Sequence, residues 1–190
     1  MALGDELGLS LGPHARVRAL TPAERHQVEL LALAHRGASV LLLDDWLAGF
    51  TEDPTEELLL ALAKLRATGR TVLVATRPGG PLLDLLTWRT GSPGWRTAAW
   101  PGAAPVTGPG RLPSSPSGGG PLLQVKRLWV TDQGEERVAG ADLDVRHGEI
   151  YGLAGAAGEG QAALIEAVVG LCRAETGRVY LGDEDVTGPA

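Results

Sequence analysis

Two short runs hold the residue types and spacing that chemistry on a phosphate group needs. The first is Gly155-Ala156-Ala157-Gly158-Glu159-Gly160-Gln161-Ala162, whose outer glycines are spaced as in GxxxxGK[ST]. Glycines let backbone N–H groups crowd around phosphate oxygens, and a following helix points its positive end at them. Gln161 stands in the place of the lysine and Ala162 in the place of the metal-binding hydroxyl. A neutral hydrogen bond is worth about 1 kcal/mol against roughly 1.5–3 for a charged one, so affinity should suffer. Glu159 adds a negative charge inside the cradle. A tight strand-to-helix turn with no ligand explains the loop alone as well. The second run is Asp44-Asp45, which closes the apolar stretch Val40 to Leu43. A carboxylate there can hold a Mg²⁺ shell while its neighbour orients an attacking water. For an isolated Asp pair, a helix cap or a solvated strand end is the commoner explanation.

The elements that must position these runs are legible from periodicity and punctuation. Thr21-Pro22-Ala23-Glu24 is a capping box, with Thr as N-cap, Pro at the first helical position and Glu three residues after the cap. The helix should run to about Arg36, with Gly37 as its left-handed stop. Val40 to Leu43 reads as a strand buried on both faces. Asp53-Pro54 starts a second helix with a buried stripe of Leu58, Leu59, Leu62 and Leu65, stopped by Gly69. Thr71 to Thr76 is another buried strand. Helix, strand, helix, strand with short connections implies a parallel sheet covered by helices.

Residues 90–120 break this pattern. Fourteen of these thirty-one residues are Gly or Pro, a composition that buries too little to order itself and reads as a flexible linker. Beyond it, Leu122 to Val130 and Glu136 to Val145 flank the turn Asp132-Gln133-Gly134, the pattern of an antiparallel hairpin. Glu149 to Ala154 is an apolar strand running into the glycine turn, Gln161 to Leu171 has a helical pattern, and Arg178 to Gly182 reads as one more strand. Strand, glycine-rich loop, helix is the context a phosphate-binding loop requires.

Composition narrows the class. The formal charge of −6 argues against non-specific nucleic-acid binding, which needs clustered Lys and Arg. The single cysteine, Cys172, rules out an internal disulfide and fits a reducing compartment. No apolar run approaches the ~20 residues that span a bilayer. The first residues, MALGDELGLS, lack the basic start and apolar core of a secretory signal. A cytoplasmic protein is the expectation.

Taken together, the runs resemble a known family. LTPAERHQVELLALAHRGASVLLLDD looks like the signature helix and Walker B strand of an ABC ATPase domain, and TVLVAT like the strand that follows. ERHQVEL is closest to the ATP-binding subunits of the sugar and nucleoside importer group, which are fused two-domain proteins. GLAGAAGEGQAAL resembles the phosphate loop of that group's second domain, where Gln often replaces the lysine. RHGEIYGLAG and ETGRVYLGDEDVTG also fit that domain's first half. The resemblance covers roughly Gly8 to Arg77 and Pro121 to Gly188.

This resemblance implies an α/β fold of the P-loop NTPase (RecA-like) type, a parallel sheet with helices plus a small antiparallel hairpin region. Residues 1–89 would be the back half of one ATPase domain, 90–120 the linker, and 121–190 the front half of the next. It implies ATP and Mg²⁺ as cofactors, and an ABC transporter membrane subunit or a second ATPase chain as partner at the cytoplasmic face of the membrane. Asp44 would be the magnesium-associated carboxylate. Asp45 would stand at the catalytic glutamate, one methylene shorter, where a ~1 Å misplacement can cost on the order of a hundredfold in rate. Arg77 would take the place of the switch histidine, where it can touch a phosphate but not shuttle protons near neutral pH. Thr21 falls at the signature serine, Ala23 at the signature glycine, and Glu24 beside them. Trp129 would stack on adenine, with core packing an equal contender, and Trp46 replaces a proline. The phosphate loop would contribute Gly155, Gly158, Glu159, Gly160, Gln161 and Ala162.

Several departures fall on chemistry while the helix stripes and strand runs stay intact, the pattern of a fold kept with turnover impaired. The complementary halves allow closure on each other as one circularly permuted domain, with the strand Val40 to Leu43 lying beside Glu149 to Ala154. A non-catalytic interaction module and a truncated remnant without a role remain open alternatives.

Overall fold

The computed structural model describes residues 3–9, 11–12, 14–46, 55–76, 95–99, 120–154 and 158–188. The elements are α1 (Leu3–Leu7), a 3₁₀ turn (Val17–Ala19), α2 (Pro22–His35), β1 (Val40–Asp44), α3 (Thr55–Ala67), β2 (Thr71–Thr76) and β3 (Trp95–Ala99). After these come β4 (Pro121–Asp132), β5 (Glu135–Arg146), β6 (Ile150–Ala154), α4 (Gln161–Val168), β7 (Thr176–Leu181) and β8 (Glu184–Asp185). They form a parallel sheet in the order β1-β2-β6-β3 and an antiparallel sheet in the order β5-β4-β7-β8.

Most local signals hold, but β1, expected to be buried on both faces, alternates buried Leu41 and Leu43 with half-buried Val40 and Leu42. The Thr21 hydroxyl accepts from the Glu24 N–H at 3.2 Å, and the Glu24 carboxylate accepts from the Thr21 N–H at 2.7 Å, closing the capping box of α2. Gly37 and Gly69 take φ of +73° and +87° just past α2 and α3, as left-handed stops require. Leu58, Ala61, Leu62 and Leu65 of α3 are buried. Full burial of a leucine side chain contributes about 1.5–3 kcal/mol, so this stripe anchors α3 to the sheet. Gln133 and Gly134 have φ of +50° and +83°, the two left-handed positions of a hairpin turn whose twist suits β4 and β5.

β2 carries the two cores. All six of its residues are buried. Val72 and Val74 pack with α2, α3 and β1 on one face, while Leu73 and Ala75 pack with β4, β5 and α4 on the other. The two blocks of sequence therefore close into one sheet, but not as the expectation placed them. The neighbour of β6 is β2, in register Val72 to Ile150 through Thr76 to Ala154, and β1 lies one strand further out. β2, buried on both faces, has the hydrogen-bonding edge that the apolar β6 needs on its side.

Two further expectations are corrected. The helix expected to reach Leu171 ends at Val168. Gly170, at φ +75°, donates to the Ala167 carbonyl and Leu171 donates to the Glu166 carbonyl, a Schellman stop that leaves Val169 and Leu171 exposed. Within the segment read as linker, Trp95–Ala99 is a strand paired with β6 in parallel register. The short elements α1, the 3₁₀ turn and β8 carried no periodic signal long enough to read.

Candidate functional site

The carboxyl ends of the parallel strands bring the two chemistry-bearing runs to one edge of the sheet. Asp44 is level with Ala75, and Ala75 with Leu153, at the end of β6. With strands about 4.8 Å apart, the backbones of Asp44 and Leu153 are separated by roughly 10 Å. Ligands of open α/β sheets bind outside the carboxyl ends of the strands.

At the end of β6 the chain passes into the glycine turn and α4. Gly155, with Ala156 and Ala157, lies outside the described residues. Gly158 (φ +88°) is exposed, and Gly160 (φ +102°) is the N-cap of α4. A Cβ on Gly160 would collide with the Arg137 carbonyl oxygen of β5. The glycine is thus needed for a close backbone approach as well as for its φ. The Gly160 carbonyl accepts the first bond of α4, from the Leu164 N–H at 2.8 Å. Gln161 is buried and Ala162 is exposed, with Glu159 intermediate between them and solvent. A helix start of this kind offers backbone N–H groups and a positive dipole end to an anion.

Asp44 closes β1 with its side chain exposed, and Asp45 turns the chain with φ +40°, a conformation short polar side chains tolerate. The Asp45 N–H donates to the Ala75 carbonyl at 3.0 Å, which extends the β1–β2 ladder by one residue. The Asp44 carboxyl is held above the ordinary carboxylate range. Loss of water against the sheet edge is the largest cause, followed by the negative charges of Asp45 and of Glu166 on α4. Trp46 is buried, and its ring meets His26 of α2 edge-on, with centroids 5.7 Å apart and planes at 83°. It locks α2 to the end of β1, the structural use of this residue that motif comparison did not reveal.

Thr21, Ala23 and Glu24 form the start of α2, where Thr21 and Glu24 bond to each other, which holds the Glu24 carboxyl below its usual range. Trp129 lies on β4 over Gly140 and lines a groove to which no described residue of the glycine turn contributes. Arg77 lies outside the described residues. Glu166 was missed, because its influence on Asp44 depends on how α4 lies over the sheet.

A phosphate fits the turn on backbone grounds, with a left-handed glycine at the N-cap and a helix behind it. A magnesium ion fits less well. Ala162 has no side-chain oxygen to offer it, and among the described residues no group of three His, Cys, Asp or Glu side chains could hold a metal.

No protein-family model and no solved structure matches the chain. Among curated proteins it is 28% identical, over an alignment of 201 residues, to the nucleoside import ATP-binding protein NupA of Lactococcus lactis, covering 98% of this chain and 40% of that protein. It is 26% identical to the guanosine import ATP-binding protein NupO of Bacillus subtilis, covering 97% of this chain and 39% of the relative. It is also 28% identical to the ribose import ATP-binding protein RbsA 1 of Burkholderia ambifaria, covering 93% and 36%. The chain thus spans about two fifths of the length of these relatives. The resemblance carried by motif order extends along nearly the whole chain, which is an α/β relative of the ATP-binding subunits of ABC-type nucleoside and sugar importers.

Proposed function

We propose that this chain is a nucleotide-binding segment of an ABC-type importer subunit of the sugar or nucleoside class. In this reading the back half of one ATPase domain and the front half of the next share one sheet. The observation that carries it is the sheet order, which sets Asp44-Asp45 and the glycine turn on one carboxyl edge with a single strand between them. The backbone of Gly158 to Ala162 would hold the phosphates of ATP. Gln161 would add a neutral hydrogen bond in place of a cation. Magnesium would rest on Asp44 with Asp45 beside it, and Arg77 would approach the terminal phosphate.

The same residues argue for weak binding and little or no hydrolysis. Lysine and hydroxyl are both missing from the turn, and the acid at the catalytic position is shortened. The segment would act beside a membrane subunit or a second ATPase chain at the cytoplasmic face of the membrane. No helix among the described residues is long and apolar enough to cross a membrane itself.

The test is ATP titration with and without magnesium, together with turnover of the wild type and of Asp45→Asn. The expected result is weak binding that magnesium changes little, and turnover at or near background in both proteins. Substantial turnover that survives Asp45→Asn would overturn the catalytic assignment. Absence of binding by a folded chain would favour an interaction module instead.

A further inference from the structure

An arginine from the antiparallel sheet stands against the end of the glycine turn. β4 and β5 slip in register where Val130 pairs with Val138 and Thr131 with Glu136, which leaves Arg137 as the extra residue of a bulge. Bulges re-aim side chains and recur beside active sites. This one packs on the N-cap of α4. A Cβ added to Gly160 would collide with the Arg137 carbonyl oxygen and lie 3.7 Å from Val138 Cγ2. The backbone of Arg137 is therefore in contact with the start of the helix that follows the turn.

Arg137 is half-buried, and its Nε is enclosed without a hydrogen-bond partner among the described residues. Other arginines of the chain are tied to the fold. Arg66 Nε donates to the Gly148 carbonyl at 3.0 Å, and Arg70 Nη1 donates to the Ala38 carbonyl at 3.2 Å. An enclosed donor on a charged group is costly to leave unmade, and folded proteins leave few of them. The charges of the glycine turn and the acidic pair are of the opposite sign. Glu159 lies within the turn, and Asp44 and Asp45 close β1 on the same sheet edge. A phosphate at the turn would face these carboxylates, and Gln161 brings no charge to offset them.

We propose that Arg137 is the phosphate-binding cation of the glycine turn, its guanidinium supplying the charge that Gln161 does not. This rests on the nucleotide-binding reading above and adds to it a residue from outside both chemistry-bearing runs. A guanidinium offers parallel N–H donors to a pair of phosphate oxygens, so the ligand offsets the carboxylates and the enclosed Nε gains an acceptor in one step. Arginine carries this charge at any working pH, so the contact does not depend on a proton.

The probe is inorganic pyrophosphate titrated into the full chain, followed by calorimetry and by two sets of resonances. These are the amides of Gly158 to Ala162 and the Arg137 Nε–H, the latter assigned with Arg137→Lys. Both sets are expected to shift in the wild type. Arg137→Gln should weaken pyrophosphate by about tenfold or more, and Arg137→Lys should recover part of that loss. Because Arg137 Nε has no partner to lose, both variants should keep the wild-type thermal midpoint. Arg178→Gln removes the same charge from β7 and should leave the affinity unchanged. Turn amides that shift while the Arg137 Nε–H stays still would overturn the proposal and leave the nucleotide-binding reading in place. So would unchanged affinity in folded Arg137→Gln, or an equal loss in Arg178→Gln, which would reduce the effect to net charge. No shift at the turn in the wild type would overturn both.

Discussion

The Thr71 hydroxyl donates to the Arg146 carbonyl oxygen at 3.3 Å and accepts from the Gly148 N–H at 3.0 Å, joining residues more than seventy positions apart in sequence. Beside it the Val72 N–H donates to the Glu149 carbonyl at 2.8 Å, and Arg66 Nε donates to the Gly148 carbonyl at 3.0 Å. Thr71 and Glu149 are fully buried. The Glu149 carboxylate turns back to accept from the Arg146 N–H at 2.7 Å, which shapes the turn that enters β6. This seam makes one sheet of two sequence blocks, and the sheet sets the acidic pair and the glycine turn on one edge.

Replacing Thr71 by Val removes the hydroxyl and leaves the half-buried Gly148 N–H without its acceptor. The expected loss is about 1–3 kcal/mol of unfolding free energy, read from urea denaturation, with Thr71→Ser close to wild type. Unchanged stability in Thr71→Val would mean that the seam contributes nothing to holding the blocks together.

Gly158 and Gly160 both have positive φ, but only Gly160 is crowded by another strand. Alanine at Gly158 should cost about 1–2 kcal/mol from backbone conformation alone. Alanine at Gly160 must also push β5 away at the Arg137 carbonyl, so its thermal midpoint should fall further and nucleotide binding should go with it. Equal midpoints for the two variants would contradict the close approach of α4 to β5.

The raised pKa of Asp44 has a stability consequence of definite sign. Its folded pKa lies above its unfolded value, so the folded state binds more protons in the interval between them. Stability attributable to this group is present below the unfolded pKa and lost as pH rises through the folded one. At neutral pH the ionised Asp44 is therefore a small burden, reduced by its exposure to solvent. Asp44→Asn should raise the thermal midpoint slightly at pH 7 and have no such effect near pH 3. A lower midpoint at pH 7 would show that the carboxylate has a stabilising partner.

What was legible in the sequence was local. The cap at Thr21, the stops at Gly37 and Gly69, the Gln133-Gly134 turn and the strand Thr71–Thr76 follow from backbone preferences within a few residues. Strand neighbours are a long-range matter. The apolar runs β1 and β2 look alike in composition, so nothing local says that β6 pairs with β2. The end of α4 misled because Val169 and Leu171 continue the apolar pattern beyond the residue where Gly170 turns the chain. At the candidate site, the glycines and the acidic pair were readable from spacing. The charge of Glu166 acting on Asp44 and the packing of Trp46 against His26 arise only when helices lie on the sheet.

In the proposed function, backbone groups of the glycine turn hold a phosphate with little help from metal. Amide resonances followed during titration with inorganic pyrophosphate, with and without magnesium, test it most directly. The expected shifts are concentrated on the amides of Gly158 to Ala162 and nearly the same in both conditions. No shift in these residues, or shifts that require magnesium, would contradict it.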